Sequence, residues 1–595
     1  MTPSDTSNIL RTLASSPAEF TTRPVIMGTH GMVASGHYLA SRAGLNVLED
    51  GGNAIDAGVA MGFALSVLEP YLYGIGGEAP ILIYLADKRR VLSLSGQGPA
   101  PRAATIEWFR NHGIDVIPGD GLLATTIPAA VDTWITALAH FGTMRLSRVI
   151  EYAIELAERG FPMYYQLSAA IQKNAERFRS DWPSSGDVFL PDNKVPGAGE
   201  LFVQTDLAAM FKKLVDAEHR ETKRGRREAL TAARDEFYRG DIAERIAQFA
   251  RENEFADASG KRNRGLLEKE DLQNYTARIE DPVTTSYRGY DVFKCGPWTQ
   301  GPVFLQQLNL LEGYDLTKRG HNSAEYIHLL AEAAKLAFAD REQYYGDPDF
   351  IKVPLDALLS KEYAEERRKL IDPNQASMEL RPGKVPPSAP QERKGNPNIY
   401  VGDTTHLDVV DQWGNMLAAT PSGGWFASSP LIKGLGFPLN TRLQVFYLDP
   451  AHPNALQPGK RPRTTLTPSL VLKNGDPFMV FGTPGGDQQD QWTLQFFLNY
   501  IDFNMNIQSA ADAPNFHSVH FPSSFYPHGA QAGGIVIESR IPESTLAVLR
   551  EKGHKVQVTG DWSNGRVLGI RFDAKSGVLF GAASARMETG YAMGW

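Results

Sequence analysis

The sequence predicts an α+β fold in which sheets are sandwiched between helical layers, and three observations carry this. Residues 53–65, Asn53-Ala54-Ile55-Asp56-Ala57-Gly58-Val59-Ala60-Met61-Gly62-Phe63-Ala64-Leu65, are apolar on nearly every side, which marks a buried helix. Near the other end of the chain, Ser469-Leu470-Val471-Leu472-Lys473 and Phe478-Met479-Val480-Phe481 flank Asn474-Gly475, a strong hairpin signal. A second such pair, 566–572 and 578–582, straddles Lys575-Ser576-Gly577, while helical spacing recurs at 146–159, 324–344 and 488–500. A chain of 595 residues suffices for several domains or one large multilayer body.

Taken in order, residues 1–24 are rich in Ser and Thr without the continuous apolar core of a secretory signal. No window reaches a bilayer-spanning length, so a soluble, cytoplasmic protein is expected. Small and apolar residues at 34–40 and 43–48 repeat at helical spacing. Gly74-Ile75-Gly76-Gly77 opens a strand, 81–85; with no Gly-Lys-Ser/Thr ending and no following helix, it reads as a tight turn rather than a phosphate loop. Residues 120–350 are mainly helical. Within them, acidic residues interleave the charged run 212–234, which fits a solvated face better than a nucleic-acid patch, as does the net charge of −8. The one cysteine, Cys295, ends a strand-like run and reads as a buried small residue. Six prolines punctuate 373–400, the composition of a linker or exposed loop.

Directly after that linker comes Gly402-Asp403-Thr404-Thr405-His406-Leu407-Asp408-Val409-Val410-Asp411, then a turn at 412–415 and the apolar run 416–419. This is a hairpin with a hydroxyl residue at its head. A hydroxyl at the start of a core strand, behind a flexible tether, is what a self-cleaving N-terminal nucleophile requires. A threonine hydroxyl needs a base beside it, and an N-terminal threonine carries its own, an α-amine of pKa about 7.7–8.0. Inside the chain that amine is an amide, so the bond after Asp403 must be cut first. The bland alternative is a pair of ordinary β-branched strand residues. Three features weigh against it. Gly485 and Gly486, in Thr483-Pro484-Gly485-Gly486, can aim backbone N–H groups at an oxyanion. Arg463, Thr464 and Thr465 cluster hydroxyls with a cation, suited to a carboxylate. Ser422 can bond the nucleophile.

In this order the segments resemble the γ-glutamyltransferase family over nearly the whole chain. The resemblance runs through Gly51-Gly52-Asn53-Ala54-Ile55-Asp56-Ala57, Gly74-Ile75-Gly76-Gly77, Phe141-Gly142-Thr143-Met144 and Phe237-Tyr238-Arg239-Gly240-Asp241-Ile242-Ala243. It continues through Ala337-Phe338-Ala339-Asp340-Arg341, Asp403-Thr404-Thr405-His406, Lys460-Arg461-Pro462 and Pro484-Gly485-Gly486. It implies a four-layer αββα N-terminal-nucleophile sandwich, autocleavage between Asp403 and Thr404, and a heterodimer of 1–403 and 404–595 woven into one unit. It implies Thr404 as nucleophile, Ser422 as its support, Gly485 and Gly486 as oxyanion hole, and Thr464 and Thr465 as holders of a carboxylate. No metal or organic cofactor is implied; His517 and His520 form an H-x-x-H pair without carboxylate or cysteine companions.

The departures concern the substrate. Gln97 stands where glutathione-cleaving members carry an arginine for the α-carboxylate, and Val445, beside Gln444, where they carry an aspartate for the α-ammonium. Gly424 replaces an asparagine of the amine site. Losing one partner of a buried charge pair costs about 2–5 kcal/mol of binding. Arg463, with Arg442 as a second candidate, can supply a new cation, and no acidic replacement is evident. The 444–460 segment is short beside members with a lid loop, which favours hydrolysis over transfer. The expected enzyme is an amidohydrolase, like oxamate amidohydrolase or glutaryl-type cephalosporin acylases, for a carboxylate-bearing amide without a free α-amino group. A true γ-glutamyl hydrolase or transpeptidase is the second reading, and a non-catalytic protein of the same fold the third.

Overall fold

The computed structural model describes residues 20–385 and 404–595. Two seven-stranded sheets, antiparallel throughout, stand at its centre. The first runs Ile26–Gly28, Val578–Ala583, Leu568–Asp573, Asp476–Gly482, Ser469–Lys473, Tyr290–Lys294, Val283–Tyr287. The second runs Tyr591–Gly594, Gly31–Ser35, Leu407–Asp411, Met416–Ala419, Ile81–Leu85, Arg90–Leu94, Ile279–Glu280.

Strand alternation sends successive side chains to opposite faces, and both faces of each sheet are covered. Met32, Ala34, Val410, Met416 and Ala418 of the second sheet pack on Leu470, Val480, Leu568, Ile570 and Leu579 of the first. Their neighbours Val33, Leu407, Val409 and Leu417 face outward onto a helical layer that includes Tyr38–Glu49, Ala54–Leu68 and Ala130–Phe141. On the far side, Val471, Met479 and Phe481 pack against Gly301–Leu311, Ala324–Tyr344 and Gln489–Ile501. The layers are therefore α, β, β, α, as expected.

All 15 residues of helix Ala54–Leu68 are buried, and its start is fixed by a capping box between Asn53 and Asp56. The Asp56 carboxylate also accepts the amides of Thr143 and Met144, so two of the resemblance segments meet there. Asp411, closing strand Leu407–Asp411, accepts the Trp413 and Asn415 amides across the turn and the Ala54 amide at 2.9 Å. That last bond ties the hairpin behind Thr404 to a helix N-terminus, where negative charge is favoured.

Some local expectations change. Ala34 lies in strand Gly31–Ser35, not a helix, because this segment pairs with Leu407–Asp411 on one side and Tyr591–Gly594 on the other. The 146–159 helix breaks at Ile150 into Leu146–Val149 and Glu151–Arg159. The charged run spans Thr205–Glu221 and Arg226–Tyr238, with exposed pairs such as Arg224–Glu221. Cys295 is buried, and burial pushes its thiol up to about 12. Of the linker, 373–385 carries neither helix nor strand, and 386–403, including Asp403, lies outside the described residues. No described helix is long and apolar enough to cross a membrane.

Candidate active site

Thr404 stands just before strand Leu407–Asp411 and is 2% exposed. It forms an isolated antiparallel bridge with Ser422, bringing their hydroxyl oxygens to 3.1 Å. The Thr404 hydroxyl donates to the Gly485 carbonyl at 3.2 Å. Ser422 Oγ accepts from Arg442 Nη2 at 2.6 Å, and Arg442 Nε donates to Glu78. A guanidinium only donates and a carbonyl only accepts. Arg442 thus donates into Ser422, and the Thr404 hydroxyl stands between Ser422 and the Gly485 carbonyl.

The backbone beneath these groups explains the glycines of 74–77. Ser422 and Glu78 exchange backbone hydrogen bonds of 2.9 and 3.0 Å, and the Gly74 amide donates to the Gly423 carbonyl. A Cβ on Gly77 would lie 2.1 Å from the Ser422 carbonyl, and one on Gly424 (φ +60) 2.7 Å from the Gly77 nitrogen. The turn is a seat for the Ser422 loop, and Gly424 is held by packing. Glu78 is fully buried; burial raises its carboxyl pKa, and the Arg442 cation opposes that rise.

Gly485 and Gly486 join strand Asp476–Gly482 to helix Gln489–Ile501, with Gly485 at φ +129. Among the described residues, neither glycine's amide N–H has a hydrogen-bond partner. The Gly485 carbonyl, not an amide, faces the Thr404 hydroxyl here, and the Gly486 N–H of the same trans peptide points the opposite way, so this arrangement does not yet aim both amides at the hydroxyl.

Two buried acids brace the strand. On its inter-sheet side His406 bridges Thr420 Oγ1 (2.9 Å) and Asp408 Oδ1 (3.0 Å). Gly482 passes over the His406 ring, where a Cβ would lie 2.3 Å from Cε1. On the helical side stands Glu69, whose carboxylate makes no hydrogen bond of ordinary geometry, with the Thr405 hydroxyl beside it. Burial pushes the Glu69 carboxyl up to about 7, against the opposing pull of Thr405 and Arg566. Neither acid was singled out from sequence, where each stands among apolar residues with no spacing signal.

The expected substrate residues are placed differently. Arg463 is buried, and its Nη2 pairs with Glu342 Oε1 at 2.7 Å while Nη1 donates to the Arg341 carbonyl. Arg463 therefore shares Glu342 Oε1 with Arg341, while its Nε has no hydrogen-bond partner. Arg442, the second candidate, is paired with Glu78, though its Nη1 has no partner. Gln444 spans the Gly119 carbonyl and the Tyr526 amide, and Val445 is buried, its carbonyl taken by Asn454. Leu466 donates its amide to the Thr464 hydroxyl, whereas the buried Thr465 hydroxyl has no partner. Gln97 lines a cavity of about 290 Å³ together with Arg102, Arg278 and Arg461, and its Oε1 is also unpartnered.

His520 accepts the Gly533 amide and contacts the Glu379 carbonyl, while His517 packs edge-on against Trp492. His328, Glu332 and His554 come close enough to share an ion. Lys335 and Arg381 already neutralise Glu332, which makes that group a poor cation site.

A four-layer αββα sandwich with a hydroxyl-paired threonine at the head of a central strand defines an N-terminal-nucleophile amidohydrolase or acyltransferase. The chain belongs to the γ-glutamyltranspeptidase family, whose model matches residues 40–595. It is 35% identical over 512 residues to the glutathione hydrolase proenzyme of Pseudomonas sp. strain A14, covering 83% of this chain and 82% of that protein. It is also 35% identical, over 572 residues, to the acylase ACY 1 proenzyme of Pseudomonas sp. strain SE83, covering 94% and 93%. The solved cephalosporin acylase of Bacillus halodurans superposes with a TM-score of 0.83 at 31% identity, covering 98% of each chain.

Proposed function

We propose that the chain is a precursor that cuts itself between Asp403 and Thr404, then hydrolyses a small carboxylate-bearing amide without a free α-amino group. In the first step Thr404 Oγ attacks the Asp403 carbonyl carbon. The peptide C–N bond breaks to leave an ester, and water hydrolyses that ester to free the Thr404 amine. In each turnover Oγ bonds to the substrate carbonyl while its proton passes to the α-amine. The Gly485 and Gly486 amides hold the oxyanion, and the leaving amine departs with that proton. Water, activated by the same amine, then releases the acid. The pieces 1–403 and 404–595 remain together as a heterodimer. The single buried cysteine is in keeping with a cytoplasmic location.

The observation that carries the substrate class is at Val445. It is buried and apolar at the position where the family resemblance expects an anion for the ammonium, and acylases stand among the relatives as close as a glutathione hydrolase. The latter relative supports a second reading, γ-glutamyl hydrolysis or transfer. Comparing a glutaryl anilide with a γ-glutamyl anilide separates the two: the glutaryl compound is expected to have the higher kcat/KM. A clear preference for the γ-glutamyl compound would overturn the first reading.

A further inference from the structure

The turn between strand Asp476–Gly482 and helix Gln489–Ile501 holds its peptide groups unequally. The Pro484 carbonyl accepts from Thr483 Oγ1 at 3.0 Å, and that hydroxyl accepts the Arg566 amide at 3.0 Å. The Gly486 carbonyl accepts the Gln489 amide at 3.1 Å. The peptide before Gly485 and the one after Gly486 are thereby pinned. The peptide between the two glycines is held by side chains: its carbonyl accepts from Thr404 Oγ at 3.2 Å and from Gln489 Nε2. Its N–H has no partner among the described residues. Gln489 is buried, and the Thr467 amide donates to its Oε1 at 3.3 Å. A backbone N–H only donates, so the end of Gln489 that meets the Gly485 carbonyl is its NH2 group.

We infer that Gln489 is a positioning residue that latches the Gly485–Gly486 peptide with its carbonyl toward Thr404, and that release of this latch turns the Gly486 N–H inward to complete the oxyanion hole. This rests on the reading of Thr404 as nucleophile with these two glycines as its oxyanion hole. A carbonyl oxygen facing the reacting centre repels the negative charge that such a hole stabilises. A trans peptide carries its N–H and C=O on opposite sides, so a half-turn of this one unit exchanges them. Both flanking residues are glycine, and Gly485 already stands at φ +129, so no Cβ opposes the rotation. Before the cut, Thr404 and Gln489 both hold the carbonyl. Once the α-amine is free it is a better acceptor for the Thr404 proton than an amide carbonyl, and Gln489 alone remains. A developing oxyanion binds only the form with the N–H inward and draws the peptide into it. The latch therefore lowers turnover by the fraction of molecules it keeps closed. It acts on the reacting centre rather than on substrate affinity, so its loss is read in kcat more than in KM.

The test has two arms. In the first, matured wild-type protein is crystallised with the boronic acid analogue of a glutaryl group, boron replacing the amide carbon. Thr404 Oγ adds to the trigonal boron while its proton passes to the α-amine, giving a tetrahedral borate anion with no other bond broken. The expected structure has the Gly486 N–H on a borate oxygen and the bond from Gln489 to the Gly485 carbonyl gone. A borate with that carbonyl still turned toward Thr404 and still held by Gln489 would overturn the inference. In the second arm Gln489→Met removes the latch, and kcat and KM are measured on whichever of the two anilides turns over faster. With one net hydrogen bond removed from the closed form, kcat should rise roughly 2–10-fold with KM within about twofold. Thermal melting should fall, because the Thr467 amide loses its acceptor. A purely structural Gln489 would lower kcat together with stability, so an unchanged or lowered kcat in the folded variant would overturn the latch. If the variant does not fold, the borate structure decides alone. A wild-type protein that neither self-cleaves, nor releases either anilide, nor bonds the boronate would instead overturn the assignment of Thr404.

Discussion

Thr404 and Arg463 are both buried, both polar and both singled out by the sequence, yet their neighbourhoods differ in kind. Around Thr404 the hydroxyl meets Ser422 and the Gly485 carbonyl, Arg442 donates to Ser422, and the Gly485 and Gly486 amides have no partner among the described residues. Around Arg463 the charge closes on Glu342, and Gln444 and Val445 nearby in sequence are likewise engaged with their own protein. Of the residues expected to name the substrate, Arg463, Gln444 and Val445 are engaged with the scaffold, whereas the Thr465 hydroxyl and Gln97 Oε1 have no partner. Family membership therefore predicts the chemistry here better than it predicts the substrate.

The sharpest way to break this contrast is Thr404→Ala. Self-cleavage into pieces of 1–403 and 404–595 and amide turnover should both fall by about 10³-fold or more, read by denaturing gel and by anilide release. Gly485→Ala comes next. It places a Cβ 2.7 Å from the Trp492 ring at a φ of +129, so the turn must shift and kcat should drop by on the order of 10²-fold. KM should change little.

Glu69 probes the ground under the same strand. Its folded pKa of about 7 stands above 4.5, so folding favours the protonated acid. That contribution is fully present below pH 4.5 and is lost as pH rises through 7. Stability of the wild type should fall by about 2–3 kcal/mol between pH 5 and pH 8, and Glu69→Gln should flatten that slope in denaturant titrations. Smallest is Arg463→Met: a loss of about 1–2 kcal/mol in stability, since Glu342 keeps Arg341 as a partner, with KM for glutaryl anilide unchanged. A KM raised tenfold at full stability would return Arg463 to the substrate site and dissolve the contrast.

The layers and the nucleophile hairpin were legible because they rest on local signals: strand alternation, Asn474-Gly475, and a hydroxyl directly after a proline-rich run. The meeting of Thr404 with Ser422 and with the Gly485 carbonyl agrees with segment order. What stayed hidden depends on contacts between distant residues. Glu78 reads as the end of a glycine turn until the fold sets it against Arg442, and Arg463 reads as an available cation until Glu342, 121 residues away, closes on it. Ala34 shows the same limit at the level of secondary structure. Small residues suit helix or strand equally, and pairing with the two flanking strands decides.

The strand order of the second sheet has one more consequence. Tyr591–Gly594, Leu407–Asp411 and Met416–Ala419 come from one side of the proposed cut, and Gly31–Ser35, Ile81–Leu85, Arg90–Leu94 and Ile279–Glu280 from the other. Gly31–Ser35 is clasped between two strands of the smaller piece. Once severed, neither piece can leave without unzipping the sheet, so separation and unfolding are the same event. Two matured populations carrying different tags, mixed under native conditions, should keep their original pairings indefinitely: the pieces are matched for the lifetime of the molecule.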